Sequence, residues 1–175
     1  MPEQPKIHIK LTATDTFIEI LGWVAILGIW LLTLLNYAAL PETIPVHYNG
    51  AGEADGFGSK GHILMLPLIS MLLFIGLTIL NRFPHILNYP TSIRQENALW
   101  QYTNATRMFR FLKLVITLLF GLIVFKTQQN AHDHTEGLGA WFLPLTFGLI
   151  FVPIIYYLTK MNTSKKNKNT GYNNV

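Results

Sequence analysis

The sequence predicts an all-α protein, an integral membrane bundle of four helices. Half of the 175 residues are hydrophobic and only 13% are charged, about half the charged share that is usual in soluble domains. Four apolar runs, each near the roughly 20 residues that cross a bilayer as a helix, separate the few charged clusters. Basic residues concentrate in segments that would share one side of the membrane, which is typical of multi-pass membrane proteins.

One membrane domain, residues 17–159, is predicted between two polar ends. Residues 1–16 would form a short cytoplasmic leader. Residues 160–175 are rich in Lys and Asn and cannot bury enough apolar surface to fold, so we expect a disordered basic tail. The four spans are expected at about residues 17–40, 61–80, 111–125 and 138–159.

The first span is expected to begin at a helix-capping pair. Thr16 followed by Glu19 matches the capping box, in which two side chains satisfy free amide groups at a helix start. Glu19 also lies close to a span, where an ionisable side chain is by default a functional candidate, here for proton transfer. The capping role explains Glu19 fully and is favoured. Residues 36–39 lack the small-residue pattern of a signal-peptide cleavage site, so we expect the span to be retained.

Residues 40–60 are the long polar stretch of the first half of the chain, and we expect an outer glycine-rich loop here. Four glycines recur at short spacing, and ordering them costs entropy unless other residues fix the loop. Pro41 ends the first helix. After it, Ile44, Val46 and Tyr48 alternate with other residues, as in a short extended segment. A hairpin is an alternative because Asn-Gly and Asp-Gly pairs follow, although the returning residues lack strand alternation.

Five polar residues of this loop are the candidates for ligand binding or loop anchoring: His47, Asn49, Asp55, Ser59 and Lys60. The imidazole, amide and carboxylate of the first three could bind a ligand or ion, or they could pin the loop onto the helices. Both alternatives stay open, and pinning is favoured. Ser59 is placed to cap the second helix. Lys60 opposes the dipole of that helix, so we expect a nearby acid of the loop or a lipid phosphate to offset it.

Two prolines predict irregularities within the spans. Pro67 removes one backbone hydrogen bond in the second span and is expected to kink it. Pro153, in the second half of the fourth span, predicts a bend there.

The connector after the second span is predicted to face the cytoplasm. It carries four arginines: Arg82, Arg94, Arg107 and Arg110. Within it, residues 92–109 show polar residues at helical spacing opposite apolar ones, which predicts an amphipathic helix along the membrane interface. The chain would then turn inward as the third span, whose ends are marked by Lys113 and Lys126 with side chains that reach the interface.

The third connector contains a weak metal-binding pattern. Its side chains of metal-binding types are His132, Asp133, His134 and Glu136. Such residues in a polar loop are commonly only solvated, so no metal site is predicted. The metal hypothesis would gain weight only if His47 or Asp55 lay close enough to complete a ligand shell.

Several function classes lack their residues. The chain has no cysteine, which excludes disulfides, thiolate catalysis and cysteine-based zinc sites. No serine lies in a nucleophile elbow and no HExxH motif occurs, so hydrolase chemistry lacks its parts. Nothing resembles a nucleic-acid platform of interleaved basic and aromatic residues. We therefore expect a protein that is not an enzyme, uses no cofactor and binds no nucleic acid.

The placement of basic residues predicts the orientation of the chain. The leader, the second connector and the tail carry most of the lysines and arginines, whereas the first connector contains Lys60 alone. Because basic residues favour the cytoplasmic side, both termini are expected in the cytoplasm and residues 40–60 outside.

The stretch Leu-Pro-x-x-Ile-Pro-x-His-Tyr-Asn, followed by Gly-x-x-Asp-Gly-Phe-Gly-Ser-Lys, resembles a bacterial membrane domain of unknown function, DUF1648. The same domain forms the N-terminal part of SdpI-like immunity proteins, which protect a producing cell against its own peptide toxin. The resemblance covers about residues 22–68, and relatives often have Phe and Trp where this chain has Tyr48 and Phe57. It implies a multi-pass protein of a bacterial cytoplasmic membrane.

Three hypotheses on function follow. The favoured one is a non-enzymatic membrane protein whose outer loop senses or binds a peptide, a lipid or an envelope component, as in immunity or stress response. Its partners would be the lipid bilayer and a peptide ligand or a membrane protein. The alternative is an accessory subunit of a transport or envelope complex, docked through the helix at residues 92–109. A membrane enzyme with scattered polar residues is the third hypothesis.

Overall fold

The computed structural model describes residues 4–133 and 137–170, and these are mainly helical. The long elements, in chain order, are helix α1 (Ala13–Tyr37), strands β1 (Thr43–Tyr48) and β2 (Ala54–Ser59), and helices α2 (Met65–Leu80), α3 (Gln95–Asp133) and α4 (Phe142–Thr170). Two short 3-10 segments, Lys60–Leu64 and Pro84–Ile86, precede α2 and α3.

Four helices are long and apolar enough to cross a membrane, which confirms the predicted fold class. The candidate spans are Ala13–Tyr37, Lys60–Leu80, Gln95–Ala131 and Phe142–Thr163. Only 11% to 39% of the apolar window of each span is buried within the protein. Most apolar side chains therefore point outward, as expected where lipid rather than water surrounds the helices.

The start of α1 differs from the prediction. The helix begins at Ala13, and its capping box consists of Thr12 and Asp15. Thr12 Oγ1 accepts from the Asp15 amide at 3.3 Å, and Asp15 Oδ2 accepts from the Thr12 amide at 2.9 Å. The predicted capping box of Thr16 and Glu19 is wrong, because both residues already lie inside the helix. Glu19 is therefore free for another role.

Residues 40–60 fold as an antiparallel β-hairpin of β1 and β2, not as an irregular loop. The sequence left this alternative open because the returning strand lacks apolar alternation. The structure explains why glycines stand in β2 at positions where apolar side chains would otherwise alternate. A Cβ atom on Gly56 would lie 2.9 Å from the Cβ of His47, and one on Gly58 would lie 3.3 Å from Val46 Cγ1. Glycine is thus needed where the two strands approach closely.

Helix α3 is the longest element and organises the bundle. Its 39 residues extend about 58 Å at 1.5 Å per residue, roughly twice the thickness of the hydrocarbon core. It packs against α1, α2, α4 and β1. Its second half lies among the other spans, and its first half packs against the leader and the end of α4.

The structure corrects the predicted interfacial helix at residues 92–109. Helix α3 runs without interruption through this segment into the third span. The polar face is not turned to water, because Gln101 is buried and its Nε2 donates to the carbonyl oxygen of Met161 at 3.0 Å. On the apolar side, the hydroxyl of Tyr102 donates to the carbonyl oxygen of Pro5 at 3.0 Å. The helical spacing of polar residues in this segment predicts a polar face, but it does not show which part of the chain covers that face.

Neither proline interrupts its helix. Pro67 lies in the first turn of α2, where a backbone amide has no partner within the helix, so the predicted kink has no cause there. Pro153 lies within α4, which continues across it.

Helix α4 continues to Thr170, into the segment 160–175 that the sequence predicts to be a disordered tail. No glycine or proline, the residues that end helices, occurs between Pro153 and Gly171. A polar helix end can also extend into water without a packed face. The predicted tail is therefore helical in its first part, and residues 171–175 lie outside the described part of the chain.

Candidate functional site

His47 and Asp55, two of the predicted site residues, are brought together by irregularities in the hairpin. The pairing register steps over Val46 in β1 and over Asp55 in β2, so each strand has one unpaired residue. Such bulges twist a strand and redirect its side chains. His47 Nδ1 lies 2.5 Å from Asp55 Oδ1, and the two side chains are 70% and 44% exposed. An exposed pair of this kind contributes at most about 1 kcal/mol to stability.

Asn49 holds the turn of the hairpin. Its Oδ1 accepts from the amides of Ala51 at 2.9 Å and Glu53 at 3.0 Å. Its Nδ2 donates to Glu53 Oε2 at 2.9 Å. The backbone carbonyl of Asn49 also accepts from the amide of Gly52 at 2.9 Å. Asn49 is thus engaged by the turn itself.

Ser59 and Lys60 connect the hairpin to α2. Ser59 Oγ accepts from the amide of Gly61 at 3.4 Å, at the start of the 3-10 segment. Lys60 Nζ lies 2.9 Å from Glu42 Oε1 and 5.7 Å from the ring centroid of Tyr37. The acid that offsets Lys60 therefore comes from the end of the hairpin near α1, not from its turn as the sequence suggested.

The hairpin is fixed to the helices at its turn and on its inner side. The carbonyl oxygen of Gly52, whose φ is +81°, accepts from the amide of Leu138 at 2.6 Å. The hydroxyl of Tyr48 lies 2.9 Å from Thr127 Oγ1 in α3. Ile44 of β1 also packs into a buried apolar cluster with Leu40, Ile63 and Ala131. The hairpin therefore has a fixed position on the bundle.

The outer side of the same hairpin stays exposed. Phe57 is 63% exposed, and it belongs to β2, the strand that carries Asp55. A large apolar side chain on a strand, next to an exposed charged pair and held by a rigid support, is a common way to present binding residues.

A second polar cluster lies at the other end of the bundle, where α1 begins. Arg107 Nε donates to Asp15 Oδ1 at 3.0 Å, and Arg110 Nη1 lies 3.6 Å from the same oxygen. Arg107 Nη2 also donates to Thr12 Oγ1 at 3.2 Å. The carboxylate of Asp15 is buried. These contacts join the start of α1 to α3.

Glu19 continues this cluster one turn further along α1. Its Oε1 accepts from Arg110 Nε at 3.1 Å, and its Oε2 accepts from Lys113 Nζ at 2.6 Å. Lys113 also donates to Thr78 Oγ1 in α2 at 2.8 Å and lies 4.5 Å from the ring centroid of Phe74. The side chain of Lys113 is fully buried. The prediction that it reaches back to the interface is therefore wrong.

Sequence reasoning missed this inner charge cluster, which consists of Asp15, Glu19, Arg107, Arg110 and Lys113. Its acids and bases are more than 90 residues apart in the chain, so no local pattern pairs them. A signal was nevertheless present. The three cations recur every third residue on one face of α3, and the two acids are one turn apart on α1. Ionisable residues at such spacing inside apolar spans indicate partners on a neighbouring helix.

Within residues 4–133 and 137–170, no group of three His, Cys, Asp or Glu side chains is placed to hold a metal ion. The predicted weak metal pattern of the third connector lies outside the side chains that the structure describes.

Comparison with known proteins gives one family match, which spans the hairpin, and one relative along most of the chain. Residues 24–71, from within α1 to the first turns of α2, match the family described as Domain of unknown function (DUF1648). An uncharacterized protein of Archaeoglobus fulgidus is 31% identical in an alignment of length 156 that covers 83% of each chain. No solved structure matches. The chain therefore belongs to the same protein family as this archaeal protein, with its DUF1648 match centred on the hairpin.

Proposed function

We propose that this chain is a non-enzymatic integral membrane protein whose hairpin senses or binds a peptide or an envelope component. The hairpin would face the outside of a bacterial cytoplasmic membrane, with both termini in the cytoplasm. The observation that carries the proposal is the contrast between the two sides of the hairpin. Its inner side is bonded to α3 and to the connector before α4, whereas Phe57 and the His47–Asp55 pair on its strands stay exposed.

Two physical arguments support binding over mere capping of the bundle. The exposed pair adds little stability, and the turn is already held by Asn49 without it. Phe57 presents exposed apolar surface that a bound ligand would cover. Phe57 and the His47–Asp55 pair together offer an apolar contact and a charged hydrogen-bonding pair on the same hairpin.

A peptide is the ligand class that the resemblance to SdpI-like immunity proteins supports. Peptides present both apolar side chains and backbone donors and acceptors. The backbone donors and acceptors of a peptide also fit the hairpin. A two-stranded sheet has unpaired backbone groups along its edges, and an extended peptide can add there as a further strand. The role would then belong to immunity or to envelope stress response.

This proposal can be tested by measuring the sensitivity of a deletion strain to a panel of antimicrobial peptides and envelope stresses. We expect selective sensitivity that wild type restores and that Phe57→Ala and Asp55→Asn restore poorly. Phe147→Ala is the matched control, because Phe147 is similarly exposed (57%) but lies on α4. It should restore resistance fully. Membrane levels of all variants are measured in parallel by immunoblot.

Two outcomes would contradict the sensing role. One is full rescue by both hairpin variants at equal membrane levels, which would leave the hairpin as a cap of the bundle. The other is a deletion strain with no selective sensitivity in the whole panel.

An accessory subunit of a transport or envelope complex is the second candidate function. It is favoured by Leu99, which is 56% exposed on the first half of α3, outside the part that packs among the other spans. Purification in a gentle detergent would test this role, since a stoichiometric protein partner that Leu99→Ser releases is expected only for a subunit.

A further inference from the structure

A cavity of about 220 Å³ lies where the hairpin meets the helices. Pro45 and Val46 of β1 form one wall, Met65 and Leu66 of α2 form another, and Ile123 of α3 closes the side opposite the hairpin. The cavity is thus at the level of the first turn of α2. This level is the boundary between the apolar spans and the hairpin.

The rim of the cavity is continuous with the lipid-facing surface of α2. Met65 at the rim is 48% exposed, and Ile69 and Leu72 below it are 43% and 59% exposed. Residues four and seven positions after Met65 lie on the same face of a helix. An apolar stripe therefore leads from the bilayer directly into the cavity.

The interior of the cavity favours an apolar occupant over water. Its polar members, Tyr48 and Thr127, already bond to each other at 2.9 Å, and Asn130 Nδ2 donates to the Tyr48 hydroxyl at 3.4 Å. Water enters a cavity of this kind only where several polar groups lack partners, and apolar cavities stay dry. An empty cavity forfeits dispersion contacts along its walls.

One polar side chain, His62, stands at the exposed rim. Its Nδ1 lies 2.8 Å from the carbonyl oxygen of Ser59, so Nδ1 carries a hydrogen and donates. Nε2 is then the nitrogen left for a ligand. It accepts a hydrogen bond when the ring is neutral and donates one when the ring is charged. Hydroxyl, ammonium and phosphate groups of lipid headgroups fit this position.

We propose that this cavity binds an acyl chain of a membrane lipid from the leaflet on the hairpin side, with the lipid headgroup beside His62. The inference goes beyond the proposed ligand of the hairpin and does not depend on it. A chain that leaves the bilayer for the cavity is not leaving water, so the gain comes from dispersion contacts with the walls. The bound chain should therefore exchange with bulk lipid, and covalent trapping is the suitable way to detect it.

Photolabelling in vesicles tests the proposal. Purified protein is reconstituted into phosphatidylethanolamine and phosphatidylglycerol vesicles with a trace of phospholipid that carries a diazirine on its acyl chain. After irradiation, labelled residues are mapped by mass spectrometry. We expect label on Pro45, which is buried and lines the cavity, as well as on lipid-facing Leu72. In Ile123→Trp, which fills the cavity, label on Pro45 should fall roughly tenfold or more while label on Leu72 is unchanged.

Leu118→Trp is the matched control, because Leu118 is on the same helix but 53% exposed. The amount of label on Pro45 in this variant should equal that in the wild-type protein. If Ile123→Trp does not fold, Val46→Trp closes the cavity from the exposed rim, and label on Leu66 is followed instead. Absence of label on Pro45 in wild type, or equal label when the cavity is filled, would overturn the proposal. No hairpin ligand is present in this experiment, so its failure is distinct from failure of the sensing role.

Discussion

Lys113 shows at the scale of one residue how a charge is held inside an apolar bundle. A buried ammonium group costs several kcal/mol of solvation unless its hydrogens find partners. Here Glu19 and Thr78 accept two of them, and the face of the Phe74 ring lies 4.5 Å away. These partners belong to α1 and α2, so the charge fixes three helices in register. The contacts that satisfy Lys113 therefore also specify how α1, α2 and α3 pack at the end of the bundle where α1 begins.

Replacement of Lys113 tests this role. Lys113→Met removes the cation and leaves the carboxylate of Glu19 with Arg110 as its remaining charged partner. Breaking a buried pair costs about 3–5 kcal/mol where the remaining charge is uncompensated, so a smaller loss is expected here. We expect a clearly lower midpoint in thermal unfolding of the detergent-purified protein. Lys126→Met is the control, because within the described part of the chain Lys126 Nζ donates to Gln129 at an exposed position of α3. Equal midpoints for both variants would show that the inner charge cluster does not stabilise the bundle.

Gly52 is the second residue whose conformation is decisive. Its φ of +81° is in the left-handed region, and a Cβ atom there would lie 2.5 Å from the carbonyl oxygen of Gly139. We expect Gly52→Ala to lose at least about 1–2 kcal/mol from backbone conformation alone, with further loss from the clash. The Leu138 amide donates to the carbonyl oxygen of Gly52, so faster hydrogen exchange at this amide would report the loss of stability.

Gly50→Ala provides the matched control for this prediction. A Cβ atom on Gly50 would meet nothing within 4 Å, and its φ is not in the left-handed region. Its stability should be within about 0.5 kcal/mol of wild type. If Gly50→Ala and Gly52→Ala behave alike, the contact between the hairpin and the connector before α4 is not required.

At the scale of elements, the first half of α3 is the part that the sequence described least well. It is not an isolated amphipathic helix, because the leader covers one side of it and α4 covers another. Tyr102 is fully buried, and its hydroxyl donates to the carbonyl oxygen of Pro5 in the leader. Gln4 Nε2 also donates to the carbonyl oxygen of Leu87 at 3.2 Å, so the bond from Tyr102 is one of the contacts that hold the start of the leader.

Tyr102→Phe is expected to loosen the leader without unfolding the bundle. Loss of one hydrogen bond of this kind costs about 1 kcal/mol. Limited trypsin digestion after Lys6 and Lys10 should become faster while the melting midpoint of the bundle changes little. Tyr156→Phe, at an exposed side chain of α4, should leave the digestion rate unchanged. Unchanged digestion of Tyr102→Phe would show that the leader is held by other contacts.

The elements that could be predicted are those whose signal is local. Four spans follow from apolar runs that lipid requires, and the extended segment of β1 follows from the alternation of Ile44, Val46 and Tyr48. Strand β2 could not be predicted with the same ease, because Gly56 and Gly58 replace the side chains that would have marked it. Whether Thr12 or Thr16 caps α1 is likewise undecided by spacing, since an acid follows each after three positions.

At the scale of the whole molecule, α3 links two polar regions at opposite ends of the bundle. Its Thr127 contacts the hairpin through Tyr48, and its Lys113 contacts Glu19 in the inner charge cluster. Both regions depend on residues far apart in sequence. Of the candidate site, the sequence could therefore single out polar residues of the hairpin as a group of candidates. It could not predict that His47 pairs with Asp55 while Asn49 is engaged by the turn, because the bulges that separate these roles exist only in the paired strands.

The orientation of the bundle in the membrane is the prediction that concerns the molecule as a whole. If all four spans cross the membrane, both termini lie on one side and the hairpin on the other, and the placement of the basic residues predicts that the termini are cytoplasmic. Because the chain has no cysteine, single cysteines are unambiguous reporters. In intact cells a membrane-impermeant maleimide should label Ala51→Cys, an exposed position in the hairpin turn, and should label Asn162→Cys, an exposed position near the end of the fourth span, only after permeabilisation. The opposite pattern would place the hairpin in the cytoplasm, where the exposed face of Phe57 could meet no ligand from the envelope.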